Sequence, residues 1–204
     1  YASDQYYMWD AQENYWYGHE SEQPTIRNTY NSNYPKDNDP LRWYNETPYP
    51  ASAVHSAKNC PNANEVAWYI RYGDPHWDNT TLWTTWRHLY VGGMWFKKAS
   101  VIASENGKAS AAELKKADPY NRDFATKKLF VNMPNNNQIA SGTPINSSNY
   151  FFLPAAGYYS SGKLEDFGTH GRYWSCTPEP FFSGRAYYLY FYNGDVVVGN
   201  IYER

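Results

Sequence analysis

An Asn-Gly pair near the C-terminal end constrains the fold of this chain more than any other feature. Asn193-Gly194 separates two runs of residues with strand propensity, Ala186 to Tyr192 and Asp195 to Ile201. Asn-Gly favours a type I′ turn, in which both central residues adopt positive φ, and this turn joins neighbouring antiparallel strands. The sequence therefore predicts a β-hairpin with a two-residue turn over residues 186–201.

The two-residue turn also determines which side chains share a face of the hairpin. Residues opposite each other lie on the same side of the sheet, so Tyr192 pairs with Asp195 and the pairing continues outward from there. One face is apolar and is expected to form core: Tyr187, Leu189, Phe191, Val196 and Val198. The other face carries a row of tyrosines beside a carboxylate: Tyr188, Tyr190, Tyr192, Asp195, Val197 and Gly199.

The tyrosine row has two interpretations. It either stabilises the sheet through cross-strand pairs, at about 0.2–1 kcal/mol each, or is covered by the N-terminal segment. Alternatively it is an exposed binding platform, because exposed aromatic patches mark recognition sites. We favour the platform, formed by Tyr188, Tyr190, Tyr192, Asp195 and Val197 and flanked by Phe181, Phe182 and Tyr202.

Composition supports recognition and excludes some partners. Phe, Trp and Tyr make up 20% of the 204 residues, although the mean hydropathy is −0.82. Tyr and Trp supply large contact area at low entropic cost and are favoured at binding surfaces. The net charge of −2 does not attract nucleic acid, and no apolar run reaches the roughly 20 residues of a membrane span.

The first part of the chain differs from the rest. Residues 1–58 are rich in Tyr, Asn, Trp and Pro, and the prolines interrupt any long element. Because disordered segments are poor in aromatics, we expect an irregular extension packed on a domain that spans residues 59–204.

Helices and strands alternate in the predicted domain. A helix follows Cys60-Pro61, is capped by Asn62 or Asn64 and ends at Gly73. The spacing of Trp83, Trp86, Leu89 and Tyr90 predicts a second helix over 82–90. The remaining predictions are a strand over 94–102, a short helix over 110–116 capped by Ser110, and strands over 150–154 and 173–175. The fold class is α+β, with small antiparallel sheets, two or three helices and much irregular loop.

Three sequence blocks resemble a bacterial domain family. They are Asn149 to Tyr158 (NYFFLPAAGY), Gly171 to Ser175 (GRYWS) and Ala186 to Phe191 (AYYLYF), preceded by Cys60-Pro61 before the first helix. Together they resemble the Fibrobacter succinogenes major paralogous domain type, which is common in surface proteins of Bacteroidetes. The resemblance covers residues 60–204 and implies a C-type-lectin-like, formylglycine-generating-enzyme-like fold.

The resemblance also implies a place and a role. Such domains occur on secreted lipoproteins and at fimbrial tips, so we expect an extracytoplasmic domain on the bacterial cell surface with a protein or glycan ligand. The same fold carries the variable regions of diversity-generating retroelements, where framework residues hold hypervariable surface positions. The corresponding mixed positions in this chain are Cys176, Glu179, Phe181, Phe182, Asp195, Gly199 and Asn200.

Catalytic and metal chemistry is not predicted. The formylglycine-generating relatives need a pair of reactive cysteines near the C-terminus, and this chain has only Cys176 there. Calcium-binding lectins use a Glu-Pro-Asn-like motif, whereas Phe181 follows Glu179-Pro180 here. The five histidines have no metal-ligand spacing. We therefore expect no enzyme activity, cofactor or metal, and leave open whether Cys60 and Cys176 form a disulfide.

Two alternatives to a binding domain remain. In the first alternative, the chain is a structural component of a pilus tip or surface lipoprotein, and its tyrosine row packs against another such subunit. In the second alternative, the chain is an enzyme of the formylglycine-generating type, which the single C-terminal cysteine disfavours.

Overall fold

The computed structural model describes residues 16, 18–34, 60–132, 139–181 and 185–202, with side chains to residue 199. This part of the chain confirms the predicted α+β class, with two α-helices and small, mainly antiparallel sheets. The helices are α1 (Ala63–Tyr72) and α2 (Ala99–Glu105), and short 3-10 helices lie at Glu20–Glu22, Ala111–Lys115 and Ser147–Asn149. The strands are β1 (His76–Asp78), β2 (Trp83–Thr85), β3 (His88–Tyr90), β4 (Gly93–Lys97), β5 (Val131–Asn132), β6 (Ala140–Ser141), β7 (Tyr150–Pro154), β8 (Tyr158–Ser160), β9 (Lys163–Glu165), β10 (His170–Pro178), β11 (Arg185–Tyr192) and β12 (Asp195–Tyr202).

Two four-stranded sheets form the framework of the described residues. The first has the strand order β6-β1-β4-β7, and the second, the C-terminal sheet, has the order β10-β11-β12-β5. The hairpins β2-β3 and β8-β9 form two further two-stranded sheets. Helix α1 contacts β5, β10, β11 and β12, so it covers one face of the C-terminal sheet.

The C-terminal hairpin has the predicted register. Tyr192 pairs with Asp195, Tyr190 with Val197 and Tyr188 with Gly199. The apolar face is buried, as predicted: Tyr187, Leu189, Phe191, Val196 and Val198. Because the side-chain period of a strand is two, this burial leaves the tyrosine row on the opposite face.

The core lies between the two sheets and α1. Phe191 of β11 packs edge-on against Phe96 of β4, with ring centroids 5.9 Å apart. Tyr69 of α1 contacts Phe96 at 6.4 Å and Phe151 of β7 at 5.3 Å. These contacts join the helix and both sheets into one hydrophobic cluster.

Helix α1 begins and ends where the sequence predicts. The side chain of Asn62 accepts a hydrogen bond from the backbone N–H of Glu65 at 2.9 Å, which satisfies one of the free donors of the first turn. Asn64 instead accepts from the N–H of Phe124 at 3.0 Å. The helix ends at Gly73, whose N–H donates to the carbonyl of Tyr69.

The helix predicted over residues 82–90 is wrong. These residues form the hairpin β2-β3, in which Trp83 pairs with Tyr90 and Thr85 with His88. Trp86 and Arg87 both have positive φ, 48° and 65°, so they make the mirror-image turn that suits a two-residue hairpin. Non-glycine residues rarely adopt this conformation, and the helical spacing of the aromatic residues concealed it.

Two further boundaries differ from prediction. The strand predicted over 94–102 ends at Lys97, and α2 begins at Ala99. The predicted helix over 110–116 is a 3-10 helix, and Ser110 makes no side-chain capping hydrogen bond. The predicted strand over 150–154 is confirmed as β7, and the one over 173–175 lies within the longer β10.

The described N-terminal residues contact the β8-β9 hairpin. The N–H groups of Asn28 and Asn31 donate to the carbonyls of Leu164 and Gly162, and the hydroxyl of Tyr159 donates to the carbonyl of Pro24 at 2.6 Å. Most of the predicted extension over 1–58 lies outside the described residues, so its boundary at residue 58 stays a prediction. Within the described segments, neither α-helix is long and apolar enough to cross a membrane.

Candidate functional site: the outer face of the C-terminal sheet

The candidate site is the face of the C-terminal sheet opposite to α1. Strand β10 pairs with β11 so that His170 lies opposite Tyr192, Arg172 opposite Tyr190 and Trp174 opposite Tyr188. Together with the three pairs between β11 and β12, this register gives nine positions in a three-by-three arrangement. We call them the outer face: His170, Arg172, Trp174, Tyr188, Tyr190, Tyr192, Asp195, Val197 and Gly199.

Aromatic rings dominate the outer face and contact one another across the strands. The His170 imidazole stacks on Tyr190, with centroids 5.6 Å apart and planes inclined by 15°, and also contacts Tyr192 at 5.3 Å. Trp174 meets Tyr188 edge-on at 5.8 Å. Trp174 is 42% exposed and Tyr192 is 37% exposed, so the two ends of the face present aromatic surface to solvent.

Arg172 lies in the centre of the face and is surrounded by rings. Its guanidinium carbon is 3.7 Å from the ring centroid of Tyr158 on β8, 5.2 Å from that of Tyr190 and 5.7 Å from that of Tyr188. Its Nε is buried and has no hydrogen-bond partner among the described residues. Cation–π contacts of this kind stabilise the charge by roughly 0.5–2 kcal/mol but satisfy none of the five N–H donors of a guanidinium.

The carboxylates beside Arg172 are already engaged. The Tyr158 hydroxyl donates to Glu165 at 2.7 Å, and Lys163 is 3.3 Å from the same carboxylate. The hydrogen bond from Tyr158 is the main cause that lowers the pKa of Glu165. Burial, and then the hydrogen bond to Glu165, raise the pKa of Tyr158 to about 12, so this hydroxyl remains a donor at neutral pH.

The structure brings together five of the eight predicted site residues. Tyr188, Tyr190, Asp195 and Val197 are half-buried on the outer face, and Tyr192 is exposed beside them. Because Tyr192 is exposed and the other two tyrosines are only half-buried, the row is not hidden in the core.

The three predicted flanking residues do not join this group in the described structure. Phe181 is 66% exposed but follows β10, at the opposite end of the sheet from the Asn193-Gly194 turn. Phe182 lies outside the described residues. Tyr202 pairs with Arg185 through its backbone, and its side chain is outside the described part.

The set of hypervariable surface positions implied by the resemblance is wrong in part. Cys176 and Glu179 are buried, and Gly199 is buried beneath the hydroxyl of Tyr188. Phe181 is exposed and Asp195 is half-buried. Phe182 and the side chain of Asn200 lie outside the described residues. Of these buried positions, Cys176 lies in the part of β10 whose register is irregular, between Trp174 and Pro178.

The sequence analysis did not predict the three site residues on β10, which are His170, Arg172 and Trp174. The period of two, in which His170, Arg172 and Trp174 alternate with Gly171, Tyr173 and Ser175, is the signal that predicts their common face. Their position beside the tyrosine row depends on the pairing of β10 with β11, which are joined by six residues, 179–184, with no turn signal as strong as Asn193-Gly194.

Among the described residues, four buried carboxylates lie outside the face: Glu65, Asp78, Asp118 and Glu179. Asp78 accepts six hydrogen bonds, from backbone and side-chain groups of Thr80 and Thr81 and from Trp95 and Thr143. Glu179 is buried between Lys128, at 3.1 Å, and Arg185, at 3.7 Å.

The two cysteines are close but free. The thiol of Cys176 donates to the backbone carbonyl of Cys60 at 3.4 Å. Burial raises the pKa of Cys176 to about 11, so it is protonated at neutral pH. Within residues 16–34, 60–132, 139–181 and 185–199, excluding position 17, the His, Cys, Asp and Glu side chains form no group of three that could hold a metal.

No family model matches the sequence, and no curated protein and no solved structure matches it either.

Proposed function

We propose that this chain is a non-catalytic ligand-binding domain with a C-type-lectin-like fold, and that its ligand lies on the outer face. The observation that carries the proposal is Arg172, a central guanidinium held among three tyrosine rings with a buried Nε that has no hydrogen-bond partner in the described structure. Binding sites combine aromatic surface with a few polar groups that orient the ligand.

The extent of the face suits a small ligand. Three strands about 4.8 Å apart span about 10 Å, and four residue steps of about 3.3 Å span about 13 Å. We prefer the ligand-binding function to a purely structural role in a pilus tip or surface lipoprotein, because the buried Nε of Arg172 offers a donor that a ligand can use.

The thiol chemistry supports binding rather than catalysis. A nucleophilic or redox cysteine is accessible and has a lowered pKa, whereas Cys176 is buried and burial raises its pKa. The sequence blocks NYFFLPAAGY and GRYWS, which lie on β7, β8 and β10, support the C-type-lectin-like fold and a place on the bacterial cell surface by resemblance.

A glycan and protein array tests the proposal, probed with the parent chain and with Tyr190→Ala and Tyr192→Ala. We expect the parent to bind and both variants to lose at least tenfold in affinity. Tyr120→Ala is the matched control, because Tyr120 is an exposed tyrosine in a loop outside the C-terminal sheet. Unchanged binding by both outer-face variants, or no ligand for the parent, would contradict the proposal.

A genetic test addresses diversification of the same face. The DNA around the codons for residues 173–204 is sequenced and searched for a nearby near-copy that differs only at adenines, next to a reverse transcriptase gene. Such a copy would show a diversified receptor, and its mismatched codons would name the contact residues. Its absence would leave a receptor or adhesin of fixed specificity.

A further inference from the structure

The outer face places its one arginine where a ligand meets it. Arg172 lies between His170 and Trp174 along β10 and opposite Tyr190 on β11. The opposite face of the sheet is covered by α1, and the Tyr158 ring lies over the guanidinium, so a ligand approaches from the outer face beside that ring.

The charge of Arg172 acts on Glu165 at a distance, but no described carboxylate is paired directly with it. No carboxylate in the described segments lies within 4.0 Å of its guanidinium, although Arg122 and Arg185 both have such partners. Glu165 is engaged by Tyr158 and Lys163. Removing a guanidinium from water without hydrogen bonds is costly, and contacts with rings recover only part of that cost.

A carboxylate is the group that best completes this arrangement. The N–H groups of a guanidinium form a planar fork that matches the two oxygens of a carboxylate, and such paired hydrogen bonds are shorter and stronger than neutral ones. A ring at 3.7 Å from the guanidinium carbon holds this fork in one place, which reduces the entropy lost on binding.

The neighbours of Arg172 indicate what carries the carboxylate. The exposed rings of Trp174 and Tyr192 lie on either side of it, one residue pair away along the strands. Flat aromatic rings pack against the C–H faces of sugar rings, and a face of about 10 by 13 Å accommodates one or two such rings. Asp195 at the edge offers an acceptor for sugar hydroxyls.

We infer that the ligand is an acidic glycan, that Arg172 binds the carboxylate of a uronic-acid-type sugar, and that Trp174 and Tyr192, at the two ends of the face, pack against sugar rings on either side of that carboxylate. This inference rests on the proposed ligand-binding function and names the ligand class for the same face. Arg172 is then the specificity-determining residue, because a neutral sugar leaves its donors unpaired.

The test is an NMR titration of the ¹⁵N-labelled chain, read at the arginine Nε–Hε and tryptophan indole signals. The probes are methyl β-glucuronide, methyl β-glucoside and acetate, so that charge and sugar ring are varied separately. We expect saturable shifts of the Arg172 and Trp174 signals with the glucuronide, and affinity at least about tenfold weaker for the glucoside and for acetate.

Variants make the result specific to the guanidinium. Arg172→Gln is expected to remove the tenfold preference for the glucuronide, and Arg172→Lys to retain part of it, because lysine keeps the charge and loses the fork. Arg71→Gln is the control, since Arg71 also lies over a tyrosine ring, Tyr120, at 5.3 Å, but belongs to α1. Thermal unfolding of each variant checks that the fold is retained.

The outcomes separate the ligand class from the binding function. Equal affinity for glucuronide and glucoside, or a preference that survives Arg172→Gln, would overturn the role of Arg172. Equal affinity for acetate and glucuronide would overturn the acidic sugar. An array ligand lost in Tyr190→Ala but bound normally by Arg172→Gln would uphold the binding function and overturn this inference alone.

Discussion

The indole N–H of Trp95 on β4 donates to the carboxylate of Asp78 at the end of β1, at 2.9 Å. Asp78 is buried, and its two oxygens also receive donors from Thr80, Thr81 and Thr143. A single carboxylate thus ties β1 to β4 and to the loops that follow β1 and β6, and it maintains the sheet against which the core of the C-terminal sheet packs.

Replacement of Asp78 is expected to change both stability and its pH dependence. Burial raises the pKa of Asp78, but hydrogen bonds from Thr80, Thr81 and Trp95 outweigh burial and hold it far below the usual value. The unfolded chain therefore takes up the proton first. The stabilisation is complete above the unfolded pKa of about 3.9 and is lost as the pH falls toward the lower folded pKa.

Chemical denaturation between pH 7 and pH 2 measures this effect. Asp78→Asn is expected to lose roughly 3–5 kcal/mol of unfolding free energy at pH 7, because the amide NH2 group would face the N–H and O–H donors that the carboxylate accepts from. Below pH 4, the unfolding free energy of this variant should fall less steeply with pH than that of the parent. Thr143→Val removes one donor and should lose about 1 kcal/mol of unfolding free energy, while the dependence of that free energy on pH stays like that of the parent. A parent-like acid slope in Asp78→Asn would refute the assignment.

Glycine at position 171 allows the inner side of β10 to approach the core. A Cβ at Gly171 would lie 2.1 Å from the ring of Phe191, which is fully buried. Gly171→Ala is therefore expected to destabilise the fold by about 1–3 kcal/mol, the usual range for overpacking.

Gly199→Ala is the matched control for that experiment. Gly199 lies in the same sheet, but its added Cβ would meet only the hydroxyl end of Tyr188, at 3.3 Å, which can move. Thermal or denaturant unfolding should show a change below about 0.5 kcal/mol for Gly199→Ala. A similar loss in both variants would mean that strand glycines as such, and not the contact with Phe191, determine the effect.

The buried thiol of Cys176 is expected to react slowly in the folded protein. Burial raises the pKa of Cys176 to about 11, so at pH 7.4 its thiolate is far scarcer than that of a free cysteine with a pKa of about 8.5. In Cys60→Ser, pulsed alkylation followed by mass spectrometry should label Cys176 at least about tenfold more slowly than in the same protein unfolded in guanidinium chloride. Equal rates in the two states would contradict the buried position of the thiol.

The elements that sequence predicts well are those specified locally. Asn193-Gly194 carries its own turn preference, so the hairpin, its register and its buried face follow from residues close together in the chain. Asn62 similarly caps α1 with a hydrogen bond to a residue three positions away. The alternation along β11 then places its tyrosines correctly without any knowledge of the rest of the fold.

The parts that sequence does not predict depend on distant partners. In the sequence, Arg172 is an ordinary strand residue. Its surroundings form only when β10 pairs with β11 and β8 brings the Tyr158 ring to 3.7 Å from its guanidinium carbon. Asp78 likewise becomes a sixfold acceptor only when Trp95 and Thr143 are placed. In β2-β3, the helical spacing of aromatics reflects their packing on Phe167, which Trp83, Trp86 and Tyr90 all contact.

The left-handed geometry of the β2-β3 turn can be tested by substitution. Arg87 has a φ of 65° and is exposed, and a left-handed conformation costs a non-glycine residue about 1 kcal/mol or more. Arg87→Gly should therefore stabilise the fold or leave it unchanged, within about 1 kcal/mol, despite the usual entropic cost of glycine. Arg87→Ala keeps the strained φ and serves as the control for loss of the side chain. If denaturant unfolding shows Arg87→Gly to be less stable than Arg87→Ala, the turn at Trp86-Arg87 does not have the left-handed geometry.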